Sequence, residues 1–202
     1  MYAKFKFLSS LCSMITNYII PLALGVSLSA CCGFRIFIPL LIASVAAKFG
    51  GLHLSSGFEW MGTLPAMIAF ITASVIEIAA YYIPVLDNFL DTLSTPSAIV
   101  AGTVISASVF VDFDPMLKWT LAIIAGGGTA GIIQAGTGLL RLGSTKLTVG
   151  SGNVFLATSE MALSFFGTIF SLVIPVIMAL VFTALVIGIL FFFIKKIKKA
   201  VN

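Results

Sequence analysis

The sequence predicts an all-α polytopic membrane protein with about six membrane segments, some of them broken or re-entrant. Of its 202 residues, 60% are hydrophobic and 9% are charged, whereas a soluble domain carries about 25% charged residues. The apolar residues form long runs of the kind that cross a hydrocarbon core of about 30 Å. Residues 1–202 are therefore expected to form a single integral membrane domain with the lipid bilayer as its partner.

Positive charge flanks the apolar runs. Lys4 and Lys6 precede the first run, and a basic tail, residues 195–202, follows the last one. Because lysines favour the cytoplasmic side, both termini are expected to be cytoplasmic, which requires an even number of crossings. The net charge of +4 is not spread over one face, so nucleic acid is not an expected partner.

The first half begins with an expected hairpin. An N-terminal lead helix, residues 1–21, should kink at Pro21 within the first apolar run. Small residues at 29–33 separate this run from a second one at 34–47, which predicts a helical hairpin or one long broken helix. Residues 28–31 also resemble a lipoprotein cleavage site, but the apolar sequence that follows is unlike a polar tether and argues against cleavage.

The third run, residues 60–83, is followed by a segment with a different pattern. Asp87 and Asp91 are four residues apart in residues 84–96, so a short helix would present both carboxylates on one face. Such an amphipathic helix is expected to lie at the membrane interface. A fourth apolar run, residues 97–111, comes next.

Glycine and proline residues predict breaks in the apolar runs of the second half of the chain. The fifth run contains a glycine cluster, residues 126–138, where we expect a broken helix; its G-x-x-x-G spacing equally permits close helix packing. Residues 142–159 are polar, rich in glycine, serine and threonine, and contain no long apolar stretch. The final run, residues 161–194, would be about 50 Å long as one straight helix, so Pro175 is expected to divide it.

Arg35 is the strongest candidate site residue. It follows Gly33 at the first break, and a guanidinium at membrane depth needs a partner. The functional hypothesis is an anion contact or a gate paired with Glu77, Asp91 or Glu160. The alternative is an arginine that extends to the headgroups or has a structural partner.

Further polar residues are candidates with two interpretations each. Glu77, inside an apolar run, predicts a proton or cation carrier, or a salt-bridged core residue. Asp87 and Asp91 either cap and solvate an interfacial helix or concentrate cations at a pore mouth. Gln134 and Asn153 are secondary candidates, as interhelical hydrogen-bond donors or site ligands.

The two halves of the chain share a short pattern. Gly33 and Arg35 stand at a small-residue break, and Gly138 and Arg141 end the glycine cluster. An acid follows on a later segment in each half, Glu77 in the first and Glu160 in the second. Transporters with inverted repeats build midplane sites from such broken helices. The pattern predicts an inverted repeat, with a chance match as the alternative.

The sequence lacks the common enzyme motifs. It contains no H-E-x-x-H, no G-x-S-x-G and no cluster of metal ligands. Its three cysteines have no C-x-x-C spacing and predict neither a zinc site nor a disulfide framework. We therefore expect no enzyme activity, no catalytic residues, no cofactor and no metal site.

Three segments carry a resemblance to a known family. Residues 28–41, 83–92 and 135–141 resemble an uncharacterised bacterial membrane-protein family, domain of unknown function 4126, and the similarity would cover residues 22–185. The resemblance implies an integral polytopic protein of the bacterial inner membrane. The family has no activity to transfer.

Together these observations predict a small membrane transporter or channel for an ion or small polar solute. Its site would lie at the helix breaks, and the protein is expected to be a homo-oligomer. A structural or lipid-interacting membrane protein without transport activity is the alternative. A membrane enzyme acting on a lipid headgroup is a third hypothesis.

Overall fold

The regular structure is entirely helical in the part of the chain that the computed structural model describes, residues 14–81, 84–148 and 151–201. Helices suit this composition because they satisfy their backbone hydrogen bonds internally, as hydrocarbon requires. Two π-helical segments (Ile15–Ile19 and Ala122–Gly127) and one 3₁₀ turn (Glu59–Gly62) accompany the α-helices. These are α1 (Ile20–Cys32), α2 (Phe37–Phe49), α3 (Leu64–Tyr81), α4 (Pro84–Val109), α5 (Pro115–Leu121), α6 (Gly128–Thr148), α7 (Ser151–Val173) and α8 (Pro175–Val201).

The predicted hairpin is formed by α1 and α2. Its non-helical tip is residues 33–36, a few residues later than predicted, because α1 continues through the small residues to Cys32. The distortion expected at Pro21 is the π-helical segment before it, where the Ile20 amide bonds to the Ile15 carbonyl. Pro21 itself lies in the first turn of α1, where a missing N–H is least costly.

Helix α1 is the central element of the bundle and packs against α4, α6, α7 and α8. Its small residues allow this, because they let neighbouring backbones approach closely. Gly25 lies under the Phe110 ring, and its carbonyl accepts a hydrogen bond of 2.9 Å from the Ser106 hydroxyl. Every residue of α1 from Ser27 to Cys32 is buried.

Both arms of the hairpin meet the same end of the bundle, which we call the loop end. At the start of α1, the Tyr18 ring lies 5.4 Å from the ring of Phe113, in the turn after α4. Beyond α2, the Ser55 amide donates to the carbonyl of Ser108 near the end of α4, at 2.7 Å. The hairpin therefore enters and leaves at the loop end, with its tip inside the protein.

Helix α4 corrects one prediction. The prediction of a separate interfacial helix over residues 84–96 is wrong, because α4 runs unbroken through Pro96. The Pro96 side chain is exposed. Packing of α4 against α1 outweighs the backbone hydrogen bond that this proline removes. The side chains of Asp87 and Asp91 lie outside the described residues, so their predicted roles stay predictions.

The glycine cluster is helical, so the broken helix expected at residues 126–138 is wrong. A π-helical segment joins α5 to α6 there without an unwound gap. The alternative of close packing is confirmed. A Cβ on Gly131 would stand 2.8 Å from Ile99 of α4, and one on Gly127 would meet the Thr103 hydroxyl.

The polar stretch at residues 142–159 is helical where the structure describes it, since α6 continues to Thr148 and α7 begins at Ser151. Two hydrogen bonds of its polar side chains are clear: the Thr145 hydroxyl donates to the Arg141 carbonyl at 2.9 Å, and the Asn153 amide donates to the Thr145 hydroxyl at 3.0 Å. The division at Pro175 is confirmed, since α7 ends at Val173 and α8 starts at that proline.

Within the described chain, four helical stretches are long and apolar enough to cross a membrane: Ile15–Cys32, Pro115–Thr145, Gly152–Val173 and Pro175–Lys196. The last has a mean hydropathy of 3.0 and is only 6% buried, so its side chains face outward. Three shorter apolar helices complete the bundle, Phe37–Phe49, Leu64–Ala80 and Leu93–Val109. The described part of the chain is thus all-helical and has the long apolar helices of a membrane protein.

Helix α8 ends at the opposite end of the bundle from Met14, which we call the tail end. It runs alongside α6, with Ile189 against Gly136, so that its C-terminal lysines lie toward the end of α6 that carries Arg141. Lys4 and Lys6 lie outside the described residues. Cytoplasmic placement of both termini therefore stays a prediction.

Candidate functional site

The predicted site residues converge on the tip of the hairpin. Arg35, in the non-helical tip, is only 2% exposed. Its Nη2 donates a 2.8 Å hydrogen bond to the carbonyl of Ala157 on α7 and lies 3.6 Å from Oε2 of Glu160. Glu160, one of the three acids predicted as partners for Arg35, therefore forms an ion pair with it. The interpretation of Arg35 as a headgroup-level arginine is wrong, because the side chain is buried in protein.

A second arginine reaches the same carboxylate. Nε of Arg141, on α6, donates to Oε1 of Glu160 at 3.2 Å, and its Nη2 pairs with Oε2. Both side chains are buried. Two such contacts from one guanidinium fix the geometry of a carboxylate as well as binding it. Glu160 thereby joins the hairpin tip to α6 and α7.

Glu77 binds the backbone of the tip. Its Oε1 accepts from the Ile36 amide at 2.8 Å, and its Oε2 accepts from the Phe37 amide at 3.0 Å. These amides open α2 and have no partner within that helix. A carboxylate is also favoured at the positive end of the helix dipole. Glu77, supplied by α3, thus caps α2 at the point where the hairpin turns.

The other side of the tip is held equally closely. The hydroxyl of Ser164 on α7 donates to the Cys31 carbonyl at 3.1 Å, and the same carbonyl accepts from the backbone amides of Phe34 and Arg35. A Cβ on Gly33 would stand 2.7 Å from the Ala130 carbonyl oxygen and 2.7 Å from Cβ of Ile133. Only glycine therefore lets the tip lie this close to α6.

Gln134 directly follows Ile133 on α6. Its Nε2 donates to the Ser94 hydroxyl of α4 at 2.8 Å, and both residues are buried. Of the two roles predicted for Gln134, the structure shows the interhelical hydrogen bond. Asn153 lies away from the tip, at the junction of α6 and α7.

The tip lies deep in the bundle. Helix α2 has 13 residues, so its N-terminus is about 20 Å from the loop end at 1.5 Å per residue. Helix α6 extends about 10 Å beyond Arg141 toward the tail end. The charged side chains of the tip therefore lie between the two ends of the bundle, and the intramembrane site stays a prediction.

Open space adjoins the tip on the side of Glu77. A cleft of about 370 Å³ lies between the tip, α3 and α4, and is lined by Glu77, Ser94, Ser97 and apolar side chains. A second groove of about 420 Å³ continues toward Trp60 and Phe70 and shares Ser97 with the cleft. Arg35 and Arg141 do not line either space. Glu77 is thus the charged member of the described cluster that borders a cavity.

Sequence reasoning missed the hydroxyls that complete the site. Ser94 and Ser164 stand in apolar surroundings in the sequence, which is a weak signal, because serine also packs helices closely. It also missed a buried cation near the loop end, in addition to Arg35 and Arg141: Nζ of Lys118 donates to the Ser55 hydroxyl at 2.9 Å and lies 5.8 Å from the Phe58 ring centre. Among the described residues, no group of three potential metal ligands comes together.

Comparison with known proteins identifies the family. No curated protein and no solved structure matches the chain. The family model described as a domain of unknown function, DUF4126, matches residues 22–196 and so covers most of the chain. The match begins where the resemblance was expected to begin and extends into the basic tail. The chain therefore belongs to the DUF4126 family.

Proposed function

We propose that the protein is a small transporter or channel for an ion or small polar solute, with its site at the hairpin tip. The observation that carries the proposal is the position of Glu77, which both caps α2 and lines the cleft. A solute at this carboxylate would act on the same groups that hold the tip in place.

The cost of the cluster supports a functional role. Formally, Arg35 and Arg141 carry two positive charges, and Glu77 and Glu160 carry two negative charges. Removing charges from water is expensive, and apolar residues of similar volume often stabilise a core at least as well. Ionisable groups inside a membrane are therefore a functional hypothesis by default.

The tip is the element that would move. The amide of Ile36, where the tip joins α2, bonds to a side chain from α3, and the Cys31 carbonyl accepts from a side chain of α7 as well as from two tip amides. Side-chain bonds of this kind can exchange with a solute, whereas the bonds inside a continuous helix cannot do so without unwinding it. Non-helical backbone in a bundle is typical of the places where transporters bind their solutes.

The proposal includes the membrane arrangement. The hairpin, α3, α4, the continuous α5–α6 helix, α7 and α8 make six membrane elements. The protein lies in the bacterial inner membrane with its lysine tail in the cytoplasm, and the exposed face of α8 contacts further copies in a homo-oligomer. What supports the inverted repeat is that the arginines of the two short motifs share Glu160.

Flux through liposomes tests the proposal. Protein reconstituted into vesicles should pass at least one small ion or solute, and Glu77→Gln should lower the rate about tenfold or more, because it removes the charge that a cationic solute or proton meets in the cleft. Glu59→Gln, at an exposed carboxylate near the loop end, should keep the native rate. Equal flux for both variants, or no flux over empty vesicles, would contradict the proposal.

The alternative is a structural or lipid-interacting protein without transport activity. The contacts of Arg35 and Arg141 favour it, because both guanidiniums bind Glu160 in a buried setting and neither borders the cleft. In that case Glu77→Gln would lower stability, and the native protein would pass no solute.

A further inference from the structure

The chemistry of the cleft points to a class of solute. We propose that it binds an amphipathic monocation, with an ammonium-like head against Glu77 and an apolar tail along the groove that leads to Trp60. This inference rests on the proposed transport function and names the substrate class of the same site.

The charge of Glu77 determines where the cationic head of the solute binds. Glu77 is the acidic residue among the described residues that line the cleft, and no described basic residue lines it. Each of its oxygens accepts one backbone hydrogen bond, and an ionised carboxylate has about four acceptor positions, so further capacity exists for a cationic donor. Ser94 and Ser97 of α4 add hydroxyl oxygens to the same wall. The cleft is therefore complementary to a cation and not to an anion.

The apolar groove determines where the tail of the solute lies. From Ile36 and Phe37, which line both spaces, the groove continues along Val100 and Val104 to the rings of Trp60 and Phe70, whose centres are 6.1 Å apart. These apolar walls match an alkyl or aryl group, and a ligand site commonly combines such walls with a few polar groups.

The position of the cleft's mouth determines the route by which a solute enters. Ile76 and Leu93, which line the cleft, are 62% and 46% exposed on the outer face of the bundle. In a membrane that face meets hydrocarbon, where an amphipathic molecule partitions and a hydrated ion does not. An inorganic divalent cation would also need six or more oxygen ligands, which these apolar walls do not supply.

Binding of a short alkylammonium tests the proposal directly. Hexylammonium is the probe, and hexanol and hexanoate are matched neutral and anionic compounds. The chain has two tryptophans, so Trp119→Phe leaves Trp60 as the fluorescent reporter in the groove. The protein is measured in nanodiscs of zwitterionic phosphatidylcholine, which carry no net charge that would attract the probe.

We expect hexylammonium to bind at least about tenfold more tightly than hexanol, because a hydrogen bond to a charged group is stronger than a neutral one. Glu77→Gln should remove this preference, and saturable binding of hexanol by the variant would show that it folds. Glu59→Gln should keep the preference. Ala73→Phe, which fills the cleft from α3, should weaken the binding of both hexylammonium and hexanol.

Four results would overturn the proposal. They are equal binding of the ammonium and the alcohol, tighter binding of hexanoate, a preference for the ammonium that survives Glu77→Gln, and the absence of any fluorescence change at Trp60. The transport proposal is tested separately, because liposome flux of small ions can persist when hexylammonium does not bind. Binding without flux of any solute would instead leave a binding protein and overturn transport.

Discussion

Replacing Glu160 with glutamine is expected to lower the free energy of unfolding by about 3–5 kcal/mol, the cost typical of breaking a buried ion pair by removing one partner. The carboxylate of Glu160 contacts both Arg35 and Arg141, each at most 3% exposed. Without it, two buried guanidiniums lose their shared counter-ion, and water cannot replace it at this depth. The measurement is unfolding of the purified protein in mixed micelles, followed by circular dichroism.

Two variants separate charge from packing. Glu59→Gln removes the same charge from an exposed position, where a carboxylate contributes little, and should change stability by less than about 1 kcal/mol. Arg141→Met combined with Glu160→Met removes one cation together with the anion and should be less destabilised than the two single variants added together. Equal stability of Glu160→Gln and Glu59→Gln would mean that the ion pairs do not hold the tip.

The sequence was sufficient for the parts of the fold that depend on composition and on single strong signals. Composition alone required helices in lipid, and Pro175 marked the junction of α7 and α8. Arg35 could be assigned to an internal site because a permanent cation in an apolar run needs a partner. Glu160 is one of its predicted partners, and the structure shows an ion pair between the two side chains.

The remainder depends on contacts between residues far apart in the chain. A glycine cluster permits either an unwound backbone or close packing, and only the position of Ile99 on α4 decides for packing at Gly131. Pro96 predicts the end of a short helix, but packing against the surrounding helices keeps α4 continuous through it. Glu77 was expected as a carrier or a salt-bridged residue, and no local pattern shows that its carboxylate caps α2.

Substitution at Gly33 should show how closely the tip must approach α6. Gly33→Ala is expected to destabilise the protein by about 1–3 kcal/mol, the usual cost of overpacking. The new Cβ would stand 2.7 Å from the Ala130 carbonyl oxygen, a backbone atom that cannot rotate away. The φ angle of Gly33 is −70°, which any residue adopts, so the effect is one of space and not of backbone strain.

Gly138→Ala is the matched control, because a Cβ there meets nothing within 4 Å. In the interior of α6 that change should be neutral or stabilise by up to about 1 kcal/mol, since glycine is the less favourable residue in a helix. Thiol labelling gives a second readout: with Cys12 replaced by serine, Gly33→Ala should speed maleimide reaction at Cys31 and Cys32, which are 0% exposed in the native fold. If both glycine variants had native stability and native labelling rates, the tip would not need its close contact with α6, because a loosely held tip could move aside to admit the methyl group.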